Sequence, residues 1–240
     1  MQQAQSHLAS VSHFLREQLF YPVLLSSLLG VAFFAVHALW SDSFAHKFLM
    51  WNLGLAWIPY LCALAMAALH ERRARAWQYV IPALAWLLFF PNAAYLVTDL
   101  VNLYKHPPVP YWYDIVFFAT LAWTGLLLAV ASLQIVQRMV KNAWGVFWSW
   151  IVVLLVIGLN GVGIYLGRFL RWNSWDILTD PLPILRDAAM PFLHPFAYRQ
   201  SVAVMLVFSA LLFVCYVSIL SFSTRGARSE NGTRPPRTME

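Results

Sequence analysis

Runs of about twenty apolar residues recur along this chain of 240, and a helix of that length crosses roughly 30 Å of hydrocarbon. Inside lipid a single helix satisfies its own backbone N–H and C=O groups, which an extended segment cannot do alone. The chain is 61% hydrophobic and 11% charged, too little charge to coat a water-soluble surface of this size. The expectation is an all-α integral membrane protein with about six transmembrane helices.

Taken in order, residues 1–19 form a polar cytoplasmic lead, and the first span runs from about Phe20 to Trp40. The second covers about Phe48 to Leu69, and the basic HERRARA connects it to a third that begins near Trp77. That third span carries Pro82 and Pro91, is expected to kink at proline, and ends in PNAAYLVTDL. The turn KHPPVP cannot continue a helix. Spans four (about Tyr113 to Gln137) and five (about Val146 to Phe169) flank the basic RMVKN. The stretch from there to His194 holds Asp180, Arg186 and Asp187 and is too charged to cross lipid. Asp180 before Pro181 suits a helix N-cap with proline in the first turn, which predicts a short interfacial helix between spans five and six. Span six runs from about Pro195 to Phe222, so the membrane domain occupies 20–223 and a basic, disordered cytoplasmic tail occupies 224–240.

Orientation follows from the cations. With both termini inside, Arg16, Arg72, Arg73, Arg75, Arg138, Lys141, Arg225, Arg228, Arg234 and Arg237 are cytoplasmic, which is ten. Lys47, Lys105, Arg168, Arg171, Arg186 and Arg199 are outside, which is six. The positive-inside rule favours N-in, C-in. The net charge of +6 does not indicate nucleic acid, because these cations sit in short loops and tails beside apolar runs. Cys62 and Cys215 lie within apolar runs and read as small buried hydrophobes.

The functional lead is the polar cluster that closes span five, GLNGVGIYLGRFLRWNSWD. Under this topology Asn52, the end of span three, Asp114 and Arg168 to Asp176 share the outer face. Asn92, Tyr95, Asp99 and Asn102 follow helical spacing on one face if the helix resumes after Pro91. Proline leaves the carbonyl of Leu87 without its donor, and broken helices in lipid are tolerated where they line a polar cavity. Ionisable groups at membrane depth are costly, so Asp99 and Arg168 should pair or face water. The candidate ligand-binding residues are Asn52, Asn92, Tyr95, Asp99, Asp114, Arg168, Arg171, Asn173 and Asp176.

Plainer roles compete for several of these. Asp114 suits a first-turn carboxylate facing the helix dipole, and Asn173 with Asp176 suits a helix N-cap. Arg168 and Arg171 suit headgroup snorkelling, and Asn92 a polar clamp between helices. Gly163 and Gly167 suit close helix packing. Trp40, Trp51, Trp112, Trp172 and Trp175 suit an interfacial belt. His37, His46, His106 and His194 fall near the same side without a close ligand pair, so no metal site is expected. No Walker loop, GxGxxG or GxSxG occurs, so no cofactor is expected either.

WNLGLAWIP, LLFFPNAAYLVTDL, the YWYD pair and GIYLGRFLRWNSWDIL together resemble the uncharacterised bacterial multi-pass membrane proteins catalogued as domain of unknown function, family 1361. The resemblance spans about Asn52 to Pro181. It departs at Ala94, where the family pattern carries proline. The resemblance implies an all-helical protein of the bacterial cytoplasmic (inner) membrane and supplies no activity, cofactor or catalytic residue.

Three functions fit this reading. One is a binding or carrier protein that holds a small anionic or zwitterionic ligand against Arg168 and Arg171, with the asparagines orienting it and Asp99 and Asp114 as counter-charges. Another is a membrane-embedded enzyme acting on lipid headgroups or lipid-linked substrates, with Asp99 or Asp176 as general base. The last is a non-catalytic assembly partner. The expected partners are the lipid bilayer and a small-molecule or lipid-headgroup ligand, with no nucleic acid, and oligomeric state is not legible in the sequence.

Overall fold

Apolar runs that cannot expose backbone to lipid do form helices here, and no strand occurs among the described residues. The computed structural model describes residues 15, 18–104 and 108–232. The helices are α1 (Phe20–Ser41), α2 (Lys47–Glu71), α3 (Val80–Thr98), α4 (Tyr111–Phe169), α5 (Asp176–Thr179), α6 (Pro181–Leu193) and α7 (Arg199–Gly232). Two 3-10 turns, Ala76–Tyr79 and Asp99–Asn102, extend α3 at its ends. Five helical units among the described residues are long and apolar enough to cross a membrane: α1, α2, α3 with its two turns, α4 and α7. Most of the N-terminal lead, His106 and residues 233–240 lie outside the described residues. The α7 backbone is helical past Thr224 as far as Gly232.

Helix α4 spans 59 residues as two limbs that meet at a kink, Gly145, so the basic RMVKN stretch is helical and the break falls just after it. Residues 138–144 contain no proline, so nothing stops the helix before Gly145. Gly145 takes φ 89°, which a residue without a β-carbon adopts at little cost. The helix continues through Pro91, from Val80 to Thr98, although proline offers no N–H to the Leu87 carbonyl. Asp180 caps α6 by position, with Pro181 in the first turn, yet its carboxylate makes no capping bond.

All the other long helices pack on α4, which makes it the centre of the bundle. Small residues set the spacing. A β-carbon on Gly125 would lie 2.3 Å from the Ala93 carbonyl oxygen, and one on Gly161 would lie 2.4 Å from the Met205 carbonyl oxygen. Glycine is required at both because backbone cannot retreat as a side chain can. Polar cross-links add to this. Trp57 Nε1 donates to Ser27 Oγ (3.1 Å), Tyr113 Oη to the Phe33 carbonyl (2.9 Å), and Ser209 Oγ to the Ile157 carbonyl (3.0 Å). The Tyr216 hydroxyl donates to Gln137 Oε1, joining α7 to α4. Cys62 and Cys215 are free thiols, each partly buried.

This packing makes a simple prediction. Gly125→Ala and Gly161→Ala should each destabilise the protein by about 1–3 kcal/mol through overpacking. Gly54→Ala, where a β-carbon meets nothing within 4 Å, should be neutral or stabilising through better helix propensity. Thermal unfolding of the three variants in detergent, ranked by midpoint, checks this.

Candidate functional site

The close approach of α3 to the second limb of α4 (residues 146–169) places the polar residues. A β-carbon on Gly163 would lie 2.4 Å from Pro91 Cγ, and one on Gly167 would lie 3.3 Å from Tyr95 Cε2. Four-residue spacing on both helices therefore stacks Pro91 on Gly163 and Tyr95 on Gly167. One turn beyond Tyr95 lies Asp99, whose Oδ1 is reached at 3.4 Å by Nη1 of Arg168, the residue after Gly167, and the guanidinium lies 5.7 Å from the centre of the Tyr95 ring. The other carboxylate oxygen, Asp99 Oδ2, accepts from Asn52 Nδ2 at 2.9 Å. Asp99 is 1% exposed, so one buried carboxylate ties α2, the end of α3 and the end of α4 together.

A second tie holds the loop that follows α4. Asn92 Nδ2 donates to Ser174 Oγ (2.9 Å) and to the Phe89 carbonyl (3.1 Å). Asp176 Oδ2 accepts from the backbone N–H of Asn173 (2.7 Å) and from its Nδ2 (3.1 Å). Trp172 Nε1 donates to Asp187 Oδ2 (2.9 Å), which anchors α6. Ser174 escaped the sequence reading; its only signal was its place inside the NSWD string.

Beside these ties lies a cavity of about 1020 Å³ between α2, α3, the second limb of α4 and α6. Six of the nine candidate residues line it: Asn52, Asn92, Tyr95, Arg168, Arg171 and Asn173. Asp99 stands behind Asn52 and Arg168. Asp176 holds Asn173 but does not line the cavity, since its carboxylate is turned into the loop. The remaining wall is mostly apolar, with Asn102, Asn160 and Ser174 as its other polar residues, and Leu84, Leu87 and Leu159 on it are exposed.

Arg171 is unusual in conformation as well as position. It follows α4 with φ 62°, in the left-handed region where helix ends place glycine. The backbone turns there so that the Trp172 N–H donates to the Leu166 carbonyl (3.1 Å). Its guanidinium makes no hydrogen bond or ion pair among the described residues, and the side chain is exposed. Non-glycine residues in this region store strain and concentrate at functional sites.

Asp114 is the exception to the expected grouping. It is 0% exposed and belongs to a separate cluster, with His37 Nε2 at 3.3 Å from Asp114 Oδ1. The His37 and His46 rings meet edge to face, their centres 4.5 Å apart. Asp114 opens the first limb of α4 (residues 111–144), which faces α1, whereas the cavity lies against the second limb. The histidines come from the end of α1 and the residue preceding α2, a pairing that sequence spacing does not reveal. Among the described residues no group of three His, Cys, Asp or Glu side chains could hold a metal ion.

A family model described as Protein of unknown function (DUF1361) matches residues 51–217. The chain belongs to that family. The match covers the ties and the cavity residues from α2 to α7, and carries no activity with it. No curated protein and no solved structure matches the chain.

The buried tie predicts an asymmetry between its two charges. Arg168→Met strands a carboxylate that only Asn52 then serves, whereas Asp99→Asn releases an arginine whose side chain is already 20% exposed. The first should cost about 2–3 kcal/mol and the second about 1 kcal/mol or less. Denaturation of both variants and of the double variant measures the order and the coupling.

Proposed function

We propose that the protein binds an anionic group at the outer face of a bacterial inner membrane, with Arg171 as the primary contact and Arg168 beside it. In this reading the chain crosses six times. Helix α4 supplies two crossings on either side of Gly145, because a straight helix of its length would span about 90 Å, three hydrocarbon thicknesses. Pro91 bends α3, and α6 lies along the interface with Leu182, Leu185 and Phe192 exposed to the lipid. Both termini are cytoplasmic by the cation count.

The observation that carries the reading is Arg171. A permanently charged fork, in a backbone conformation that favours glycine, lines a cavity without a protein counter-ion among the described residues. Arg168 is already committed to Asp99, so it orients and adds field rather than acting as the free contact. Asn52 and Asp99 act as positioning residues. Binding is favoured over catalysis because Asp99 is buried behind its partners and Asp176 is used by the loop.

The strained backbone allows a test that separates function from folding. Arg171→Gly relieves the left-handed conformation and should raise stability by about 1 kcal/mol. It also removes the charge. Inorganic phosphate, compared with chloride at matched ionic strength, should raise the unfolding midpoint of the wild type and not that of Arg171→Gly. Equal phosphate shifts in both would overturn the proposal. The topology has its own check: single cysteines at positions 102 and 173 should be labelled by a membrane-impermeant maleimide from the same side.

A further inference from the structure

Deep in the same cavity, on the second limb of α4, sits Asn160. It is 0% exposed, lines the cavity, and neither its Nδ2 nor its Oδ1 has a hydrogen-bond partner. A buried amide with no partner is costly in water-free surroundings, and natural proteins nearly always satisfy one. The residues of α4 between Asn160 and Arg168 that line the cavity are apolar or glycine: Val162, Gly163, Leu166 and Gly167. The cavity therefore has a cationic mouth, an apolar wall and one polar group set far below the mouth.

Two more polar atoms belong to residues of this wall. Pro59 and Pro91 lack the N–H groups that would bond the carbonyls of Leu55 and Leu87, and both leucines line the cavity. Leu84, Leu87 and Leu159 are at once cavity wall and exposed outer surface, so the cavity opens sideways toward hydrocarbon. A small polar ion would use the mouth and leave everything below it unsatisfied.

We propose that the occupant is a lipid with an ester- or amide-linked acyl chain and a phosphate headgroup, and that Asn160, closed beneath the cavity wall in this structure, donates from Nδ2 to the carbonyl of that linkage once the wall over it parts. This rests on the anion reading above and names the class of molecule that carries the anion. From Asn160 to Arg168, beside the Arg171 contact, the helix rises about 12 Å, so the polar group below and the cations at the mouth are separated by more than a free phosphate can bridge. The phosphate meets Arg171, the carbonyl meets Asn160, and the chains leave past Leu84 and Leu159 into the bilayer.

The test compares three probes on delipidated protein in detergent: a diacyl phosphatidic acid, its dialkyl ether analogue without carbonyls, and glycerol 3-phosphate. The wild type should bind the diacyl form about fivefold more tightly than the ether form, the value of one net hydrogen bond. Glycerol 3-phosphate should bind more weakly than either. Asn160→Leu should erase the diacyl preference, while Arg171→Gly should weaken both lipids and keep their ratio. Equal affinity for diacyl and ether forms in the wild type would overturn the inference, assigning Asn160 to a buried water, and needs no variant to be read. A diacyl preference that survives Asn160→Leu would also overturn it. Glycerol 3-phosphate binding as tightly as the lipids would leave the anion site standing and remove the lipid. Loss of any dependence on Arg171 would remove both.

Discussion

The Asp99 carboxylate is the point on which the arrangement depends. It is buried, and it receives Asn52 from one helix and Arg168 from another. An isolated carboxylate at that depth would be heavily penalised by desolvation, so the three helix ends must meet for any of them to be stable. Once they meet, the loop from Arg171 to Ser174 has a fixed origin. Asn92 then pins that loop from the α3 side through Ser174.

Close backbone packing makes the meeting possible. Pro91 on Gly163 and Tyr95 on Gly167 bring α3 against the second limb of α4 with only those two rings between the helices at those levels. Lipid offers no hydrophobic drive for helices to associate, so contact area and buried polar ties must supply the attraction. The same proximity leaves a cavity where α6 and α2 stand back from the pair. Helix packing and cavity are thus two results of one spacing, set by glycines four residues apart.

Two clusters at the same end of the bundle differ in kind. Around Asp99 the polar groups border open space, and one of the two arginines lacks a protein partner among the described residues. Around Asp114 the two histidine rings pack on Phe117 and Phe118, and only His46 borders a smaller pocket of about 250 Å³. The second cluster reads as a polar tie between α1, α2 and the first limb of α4. Both contain a buried aspartate, and only the neighbours distinguish the large cavity from the packed aromatic contact.

The all-helical class and the presence of several membrane-length apolar helices were legible in the sequence, because hydropathy acts locally. Phe20–Ser41 and Lys47–Glu71 fall within a residue or two of where their apolar runs end. The spacing of Asn92, Tyr95 and Asn102 placed all three on the face that lines the cavity. Where local signals were weak the sequence was silent: a basic stretch without proline did not reveal that the chain stays helical up to the kink at Gly145. Which aspartate joined which cation was decided only by the tertiary structure, since Asp99 and Asp114 have similar local surroundings in sequence. Contact across a bundle depends on which glycine lies opposite which side chain, and that register is a property of two helices together, absent from either one alone.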